Sequence, residues 1–305
     1  MSSKKNILVT GCNGFIGSFF IKKYRTKYNI IGIDIIEPVN KGLCDAQYVG
    51  DICDTELIDR VFTEHTIDAV IHTAAEKSLF ICENNREKAY DVNYTATMYL
   101  AQLAHDKNAK FIFISSDQVF DGKSARSSEA SAVNPINYYG KLKTMVESEL
   151  IKMGDAAICR TALVFGEIPD EQLQYFDSVK SLENLAVQGF IVQQTKYCLE
   201  NGLKIILPDN EFVSPTHVSL LSDQINSVIS NNASGVLHCC GNDRISRYEI
   251  GLAIAGYYGC DHRFIQARGT ENPLRPKDVS LSCQYTEELL HMKFPDFKTM
   301  LYTYM

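Results

Sequence analysis

Tyr139 and Lys143 stand at i and i+4 in the run NYYGKLK, so a helix there presents both side chains on one face. An ammonium one turn from a phenol favours the phenolate and draws its pKa down from about 10. Such a phenol gives a proton to, or takes one from, an alcohol or carbonyl oxygen. Ser116 ends the apolar run 110–115, upstream of this pair, and its hydroxyl suits donation of a hydrogen bond to the same oxygen. Tyr138 has Leu142 at i+4, and Lys141 lies two residues from Tyr139, so neither neighbour replaces the pair.

The elements that must hold these groups begin with TGCNGFIG at 10–17, after the apolar run ILV. Gly11, Gly14 and Gly17 are in phase as G-x-x-G-x-x-G at a strand-to-helix turn. A Cβ there intrudes on the turn, on a bound pyrophosphate or on the helix–sheet contact. The following helix aims its N-terminal N–H groups at an anion. Asp34 closes the next apolar strand, NIIGID, where a carboxylate accepts from a ribose 2′-hydroxyl and repels a 2′-phosphate. No arginine follows it within IIEPVNKG. The pattern favours NAD(H) and leaves NADP(H) open. With the Ser–Tyr–Lys set it suits reversible hydride transfer between a nicotinamide and a carbon bearing oxygen.

Strand-like runs at 6–10, 29–34, 68–73, 110–115 and 155–160 alternate with helical patterns near 15–27, 54–65, 85–107 and 137–153. Short, nearly continuous apolar runs are those of parallel strands buried on both faces. The expected fold is α/β: a doubly wound parallel sheet with a smaller C-terminal lobe. Residues 1–165 are expected to form the dinucleotide-binding domain, with part of 215–240 returning to it. Residues 166–305 are expected to form the smaller, partly discontinuous substrate lobe. There EIPDEQLQY reads as a loop, 179–201 as a helix, KIIL as a strand and PTHVSLLSDQINSVIS as a helix started by Thr216 or a neighbour. GVLHCC reads as a strand, and Ser246 with Glu249 has the spacing of a capping box.

The chain has 305 residues, 45% hydrophobic and 22% charged, with a net charge of −7. An acidic balance argues against a nucleic-acid or anionic-membrane surface. No run approaches the ~20 apolar residues of a membrane span. The N-terminal stretch lacks the apolar core of a signal peptide, so the expected compartment is the cytoplasm and the ten cysteines are expected to be reduced thiols. None forms a C-x-x-C pair, and no metal site is expected.

These blocks resemble the extended short-chain dehydrogenase/reductases, and most closely the dTDP-4-dehydrorhamnose reductase family. The resemblance runs nearly end to end: TGCNGFIG, GDI at 50–52, HTAA at 72–75, DVN ending at Asn93, SSDQVFDG, YYGKLK, CRTALVFG, SPTHV, RISRYEIGLAIA and RPKDVSL. It implies a catalytic set of Ser116, Tyr139 and Lys143. It implies a cofactor site of Gly11, Asn13, Gly14, Phe15, Ile16 and Gly17 at the pyrophosphate, and Asp34 at the ribose. Asp51 and Ile52 would border the adenine, and Ala74 and Ala75 would line the channel. Asn93, Ser115, Tyr139, Lys143, Arg160 and Thr161 complete that set. The implied substrate is a nucleotide-diphospho-4-keto-6-deoxysugar, met by Ser116, Asp117, Gln118 and Arg275, with Lys277 a further candidate for its diphosphate. The resemblance also implies a homodimer.

Related dehydratases carry Thr-Asp-Glu where this chain has Ser116-Asp117-Gln118, and an amide cannot abstract a C5 proton. Epimerase-reductases place a cysteine near the catalytic serine, where Gln118 stands here, and His217 reads as structural. Plain reduction is therefore the expected reaction. Two alternatives stay open: a 4-epimerase with retained NAD, and a non-catalytic subunit like the regulatory one of methionine adenosyltransferase. EKSLFICENN departs from the polar run expected after HTAA, and Gly189-Phe190 replaces the Asn-Phe of relatives.

Overall fold

The computed structural model describes residues 4–38, 42–168 and 190–305. Strands β1 (Asn6–Thr10), β2 (Asn29–Asp34), β3 (Ala46–Val49), β4 (Ala69–His72), β5 (Lys110–Ser116) and β6 (Ala157–Thr161) alternate with helices. Short strands follow: β7 (Val164–Phe165), β8 (Ile205–Leu207), β9 (Phe212–Val213), β10 (Thr216–His217) and then β11 (Gly235–His238). Seven strands form one parallel sheet in the order β11-β6-β5-β4-β1-β2-β3. This is the doubly wound α/β sheet. Its order reverses between β1 and β4, so a crevice opens at their carboxyl ends, where such sheets bind ligands.

Side-chain alternation feeds two cores. Ile7, Val9, Ile112 and Ile114 face one layer, while Leu8, Phe111 and Phe113 face the other. Helix α1 (Phe15–Tyr24) packs on the first face. On the second lie α2 (Thr55–Glu64), which buries Leu57, Ile58, Val61 and Phe62 and is capped by Asp54, and later helices. Each such side chain contributes roughly 1.5–3 kcal/mol on burial.

The helix expected over 85–107 is broken. After a separate helix, α3 (Leu79–Asn84), it comprises α4 (Arg86–Tyr90), a π-helical turn at Asp91–Thr95 and α5 (Ala96–Asp106). Next come α6 (Tyr138–Met153), α7 (Ile191–Glu200), α8 (Val218–Asn231), α9 (Arg247–Tyr258), α10 (Gln284–Leu290) and α11 (Phe297–Tyr304). The Ser246–Glu249 capping box is present in full at the start of α9. Helix α8 starts two residues past Thr216, capped by the neighbouring His217, whose ring accepts from Ser219 N–H. Of the helix expected at 179–201, residues 179–189 lie outside the described residues, as does most of the EIPDEQLQY loop. Among the described residues no helix is long and apolar enough to cross a membrane.

Candidate functional site

The glycine turn is fixed by backbone contact. An added Cβ on Gly17 would lie 2.3 Å from the Gly11 carbonyl oxygen, and one on Gly11 (φ +68°) 2.9 Å from Ala74 N. Side chains are thus excluded on both sides of the bend. The N–H groups of Gly11, Cys12, Asn13 and Gly14 are spent within it, so an anion would meet the first turn of α1, which has no side-chain cap. Asn13 locks the turn to β2: its N–H donates to Asp34 Oδ2 at 2.8 Å and its amide to Ile36 O at 2.7 Å. Asp34 Oδ1 accepts from Ile36 N at 3.0 Å. The carboxylate is 8% exposed, and each oxygen keeps a lone pair for a further donor. Ile35 and Ile36 beside it are exposed and apolar. Phe15 and Ile16 open α1, with Phe15 edge-on to Phe190 and Ile16 against the core. Asp51 caps its own turn by accepting from Cys53 N, while Ile52 is buried in the second core. Ala74 N reaches Thr10 Oγ1 at 3.4 Å, and Ala75 follows it.

The Ser–Tyr–Lys set converges as the spacing predicts. Ser116 ends β5, and its hydroxyl is close enough to the Tyr139 phenol to favour its ionised form. Lys143 Nζ is 5.6 Å from the Tyr139 ring centre and donates to Ile114 O at 2.8 Å. Helix α6 reaches this position because Gly140 lacks a side chain: a Cβ would sit 2.1 Å from Gln118 O. Asn137 caps α6 through Gly140 N at 2.8 Å and donates to Gln118 Oε1 at 3.0 Å, tying the helix start to the Ser116 turn.

The electrostatics differ from the sequence expectation in one respect. The Tyr139 phenol is pushed up, not drawn down: burial dominates, and Asp117 and the Cys82 thiol add to it, against the Ser116 hydroxyl. Burial also lowers Lys143 to about 8, with Glu147 opposing. Asp117 is raised to about 6 by burial, against hydrogen bonds from Gln118 and Ser116 and the charges of Arg247 and Arg275. Its Oδ1 accepts from Ser116 Oγ at 3.0 Å and Gln118 Nε2 at 3.2 Å.

The side chains of four residues expected at the cofactor also have partners within the protein. Arg160 is 3% exposed, and its guanidinium grips Glu147 of α6 at 2.6 and 3.0 Å. Ser115 donates to the same Glu147 at 2.5 Å. Asn93 clamps the loop after β4, accepting from Glu76 N and donating to Glu76 O, both at 2.9 Å. Thr161 donates to Thr216 Oγ1 at 3.3 Å. In each case a buried polar side chain has a protein partner that holds it in place.

The sequence reading missed Arg247, Glu211 and Glu147. Arg247 follows the capping Ser246, a position whose cation was visible in SRYE. Its Nε donates to Glu211 at 3.2 Å, and its Nη1 is buried without a partner. Arg275 Nη1 lies 3.9 Å from Glu211. Lys277 donates to Thr270 O. Two guanidinium groups therefore face Asp117 from the second half of the chain.

Residues 5–305 match the family model described as the RmlD substrate binding domain. The chain belongs to that family. Among solved structures, this family member is similar to dTDP-4-dehydrorhamnose reductase from Bacillus anthracis in complex with NADP. The TM-score is 0.83 at 22% identity, with 99% of each chain covered. The enzyme of that name from Yersinia enterocolitica gives 0.79 at 25% identity, over 99% of this chain and 98% of that one. Among curated proteins, methionine adenosyltransferase 2 subunit beta of Bos taurus is 24% identical, over 93% of this chain and 82% of that protein. A probable low-salt glycan biosynthesis reductase of Haloferax volcanii is 28% identical, over 85% and 82%.

Proposed function

We propose that this family member reduces a nucleotide-diphospho-4-keto-6-deoxysugar with NAD(P)H. The observation that carries the reading is the convergence of Ser116, Tyr139 and Lys143 at the same carboxyl edge of the sheet as the glycine turn, in a member of the RmlD family. The residues present fit a dinucleotide: the turn is too tight for any side chain, α1 opens with no side-chain cap over its N-terminus, and Asp34 keeps free lone pairs. When bound, that cofactor supplies the hydride. Gly11, Gly14 and Gly17 would hold its pyrophosphate, and Asp34 its ribose, which favours NADH. Ser116 orients the substrate oxygen. Tyr139 delivers the proton to it, and its raised pKa keeps that proton in place until the oxygen gains charge. Lys143, charged at neutral pH, stabilises the phenolate left behind. Asp117 and Gln118 shape the sugar pocket, while Arg247 and Arg275 would receive the diphosphate. Asp51, Ile52, Ala74 and Ala75 stay on the cofactor side of this reading. Residues 166–305, apart from the returning strand β11, would form the substrate lobe. We read the assembly as a cytoplasmic homodimer.

A second reading, a non-catalytic regulatory subunit, is supported by the likeness to methionine adenosyltransferase 2 subunit beta. One assay separates the two: NADH oxidation at about 340 nm with dTDP-, UDP- and GDP-4-keto-6-deoxyhexoses. Turnover with one of them, lowered about a thousand-fold or more in Tyr139→Phe with cofactor affinity kept, supports the reductase. Tight cofactor binding without turnover supports the regulatory subunit, and wild-type turnover in Tyr139→Phe removes that residue from catalysis.

A further inference from the structure

Three pairs of thiols neighbour one another in or beside the first core: Cys159 with Cys239, Cys240 with Cys283, and Cys12 with Cys44. The first two pairs are fully buried. The third differs in access and in place. Cys12 lies inside the glycine turn, between Gly11 and Asn13, and is 2% exposed. Cys44 precedes β3 and is partly exposed. Gly32 of β2 makes room for both, since a Cβ there would lie 2.8 Å from each sulfur. Cys44 also lines a surface cavity of about 300 Å³ with Lys4, Arg25, Thr26, Gly42, Leu43 and Asp45. That cavity sits where β1 begins and α1 ends, at the sheet edge opposite the carboxyl-end crevice. A small oxidant therefore has a route to Cys44 that does not cross the cofactor site, and two cations line its mouth.

We propose that Cys44 and Cys12 form a peroxide-sensitive thiol pair that couples oxidation at this cavity to the dinucleotide turn. The Cys44 thiolate attacks one oxygen of a hydroperoxide, the O–O bond breaks, and water (or an alcohol) leaves with a proton. The resulting sulfenic acid is attacked by the Cys12 sulfur, a disulfide forms, and a second water leaves. Overall, two thiols are oxidised and one peroxide is reduced. Cys44 suits the attacking role: it is the more exposed of the two, and the neighbouring Cys12 thiol lowers its pKa. The more exposed Cys53 does not, because burial and Asp51 push its thiol up to about 12. Closing the pair pulls Cys12 toward the start of β3. Its neighbour Asn13 carries the hydrogen bonds that hold the turn against Asp34 and Ile36.

The consequence for ligand binding rests on the dinucleotide reading, so the test reads chemistry and binding separately. Reduced protein is first titrated with NADH, which tests that reading alone. It is then treated with hydrogen peroxide, blocked with iodoacetamide and mapped by peptide mass spectrometry. The expected product is a Cys12–Cys44 linked peptide. NADH affinity should fall about ten-fold, the value of one hydrogen bond to a charged ligand, and return with dithiothreitol. Cys44→Ser, which lies outside the turn, should bind NADH like the reduced wild type both before and after peroxide. Oxidation of Cys53 with Cys12 and Cys44 still alkylated overturns the proposal, as does a linked peptide with unchanged NADH affinity.

Discussion

The β1–β2 side of the sheet and its β6–β11 side end in the same crevice but are built in different ways. On the first side, backbone does the work. Glycines at fixed spacing bring the Gly11 carbonyl against α1, and one carboxylate, Asp34, ties down the bend. On the second side, charged side chains do it. Glu147 receives Arg160 and Ser115, Arg160 reaches His238 at 3.4 Å, and His238 holds Ser282 O. This network runs from α6 across β5 and β6 to β11. It fixes the helix that carries Tyr139 and Lys143, and Glu147 lies one turn beyond Lys143. A site made by backbone can be read from glycine spacing. A site held by a buried ion pair depends on which distant residue supplies the partner.

The largest expected effect tests that difference. Glu147→Gln leaves the Arg160 guanidinium buried beside a neutral amide, a loss of about 3–5 kcal/mol by urea unfolding. Replacing both, Glu147→Leu with Arg160→Met, should recover most of that loss, because two buried charges are removed together. Losses under about 1 kcal/mol in the single variant would show that the pair does not anchor α6. The double variant should still bind NADH, because the glycine turn lies on the other side.

The same contrast explains what the chain discloses before folding. The alternation of strands and helices, the turn at 10–17, the α9 capping box and the Tyr139–Lys143 face all follow from local spacing, and the structure has each of them. Strand β3 escaped because AQYV lies at the sheet edge, is only partly buried and reads as half polar. Asn93 and Arg160 hold further bonds that the sequence does not announce, with donors to Glu76 and Glu147. Neither partner is adjacent in sequence, so local spacing cannot reveal them. The Tyr139 acidity was misjudged for a related reason. Its i+4 lysine is visible in the sequence, but its burial and the nearby Asp117 and Cys82 are products of the fold.

The next effect concerns Asp117, which meets the second half of the chain. Its folded pKa of about 6 exceeds the ordinary value of 3.8. Between those values the folded state holds a proton that the unfolded state has lost, so this group lowers stability as pH rises through the window. The cost is absent below the unfolded pKa and complete above about 6. Asp117→Asn removes the ionisation. Its stability relative to wild type should therefore improve by about 2–3 kcal/mol between pH 4 and pH 7, read from urea unfolding at both. A flat difference would place the charge of Asp117 in water or in full compensation by Arg247 and Arg275. The buried histidines drive wild-type stability the other way. His72 is lowered to about 3, and His217 and His238 to about 4, mainly by desolvation. Each contributes stability above its unfolded pKa that is lost as pH falls, which is why the comparison is made between variants at the same pH.

The smallest effect sharpens the backbone side. Asp34→Ala removes two acceptors from the turn, at Asn13 N and Ile36 N, and this part of the loss weakens every dinucleotide alike. A direct contact to the ribose adds a second part that only NADH feels, since a 2′-phosphate takes the place of the hydroxyl that Asp34 would accept from. The ratio of the two affinities isolates it. NADH binding should fall about ten-fold more than NADPH binding in Asp34→Ala, by fluorescence titration of each. An equal fall would make Asp34 a turn residue only, held by Asn13 as Arg160 is held by Glu147, and the two sides of the crevice would then be alike in reserving their charged groups for the fold.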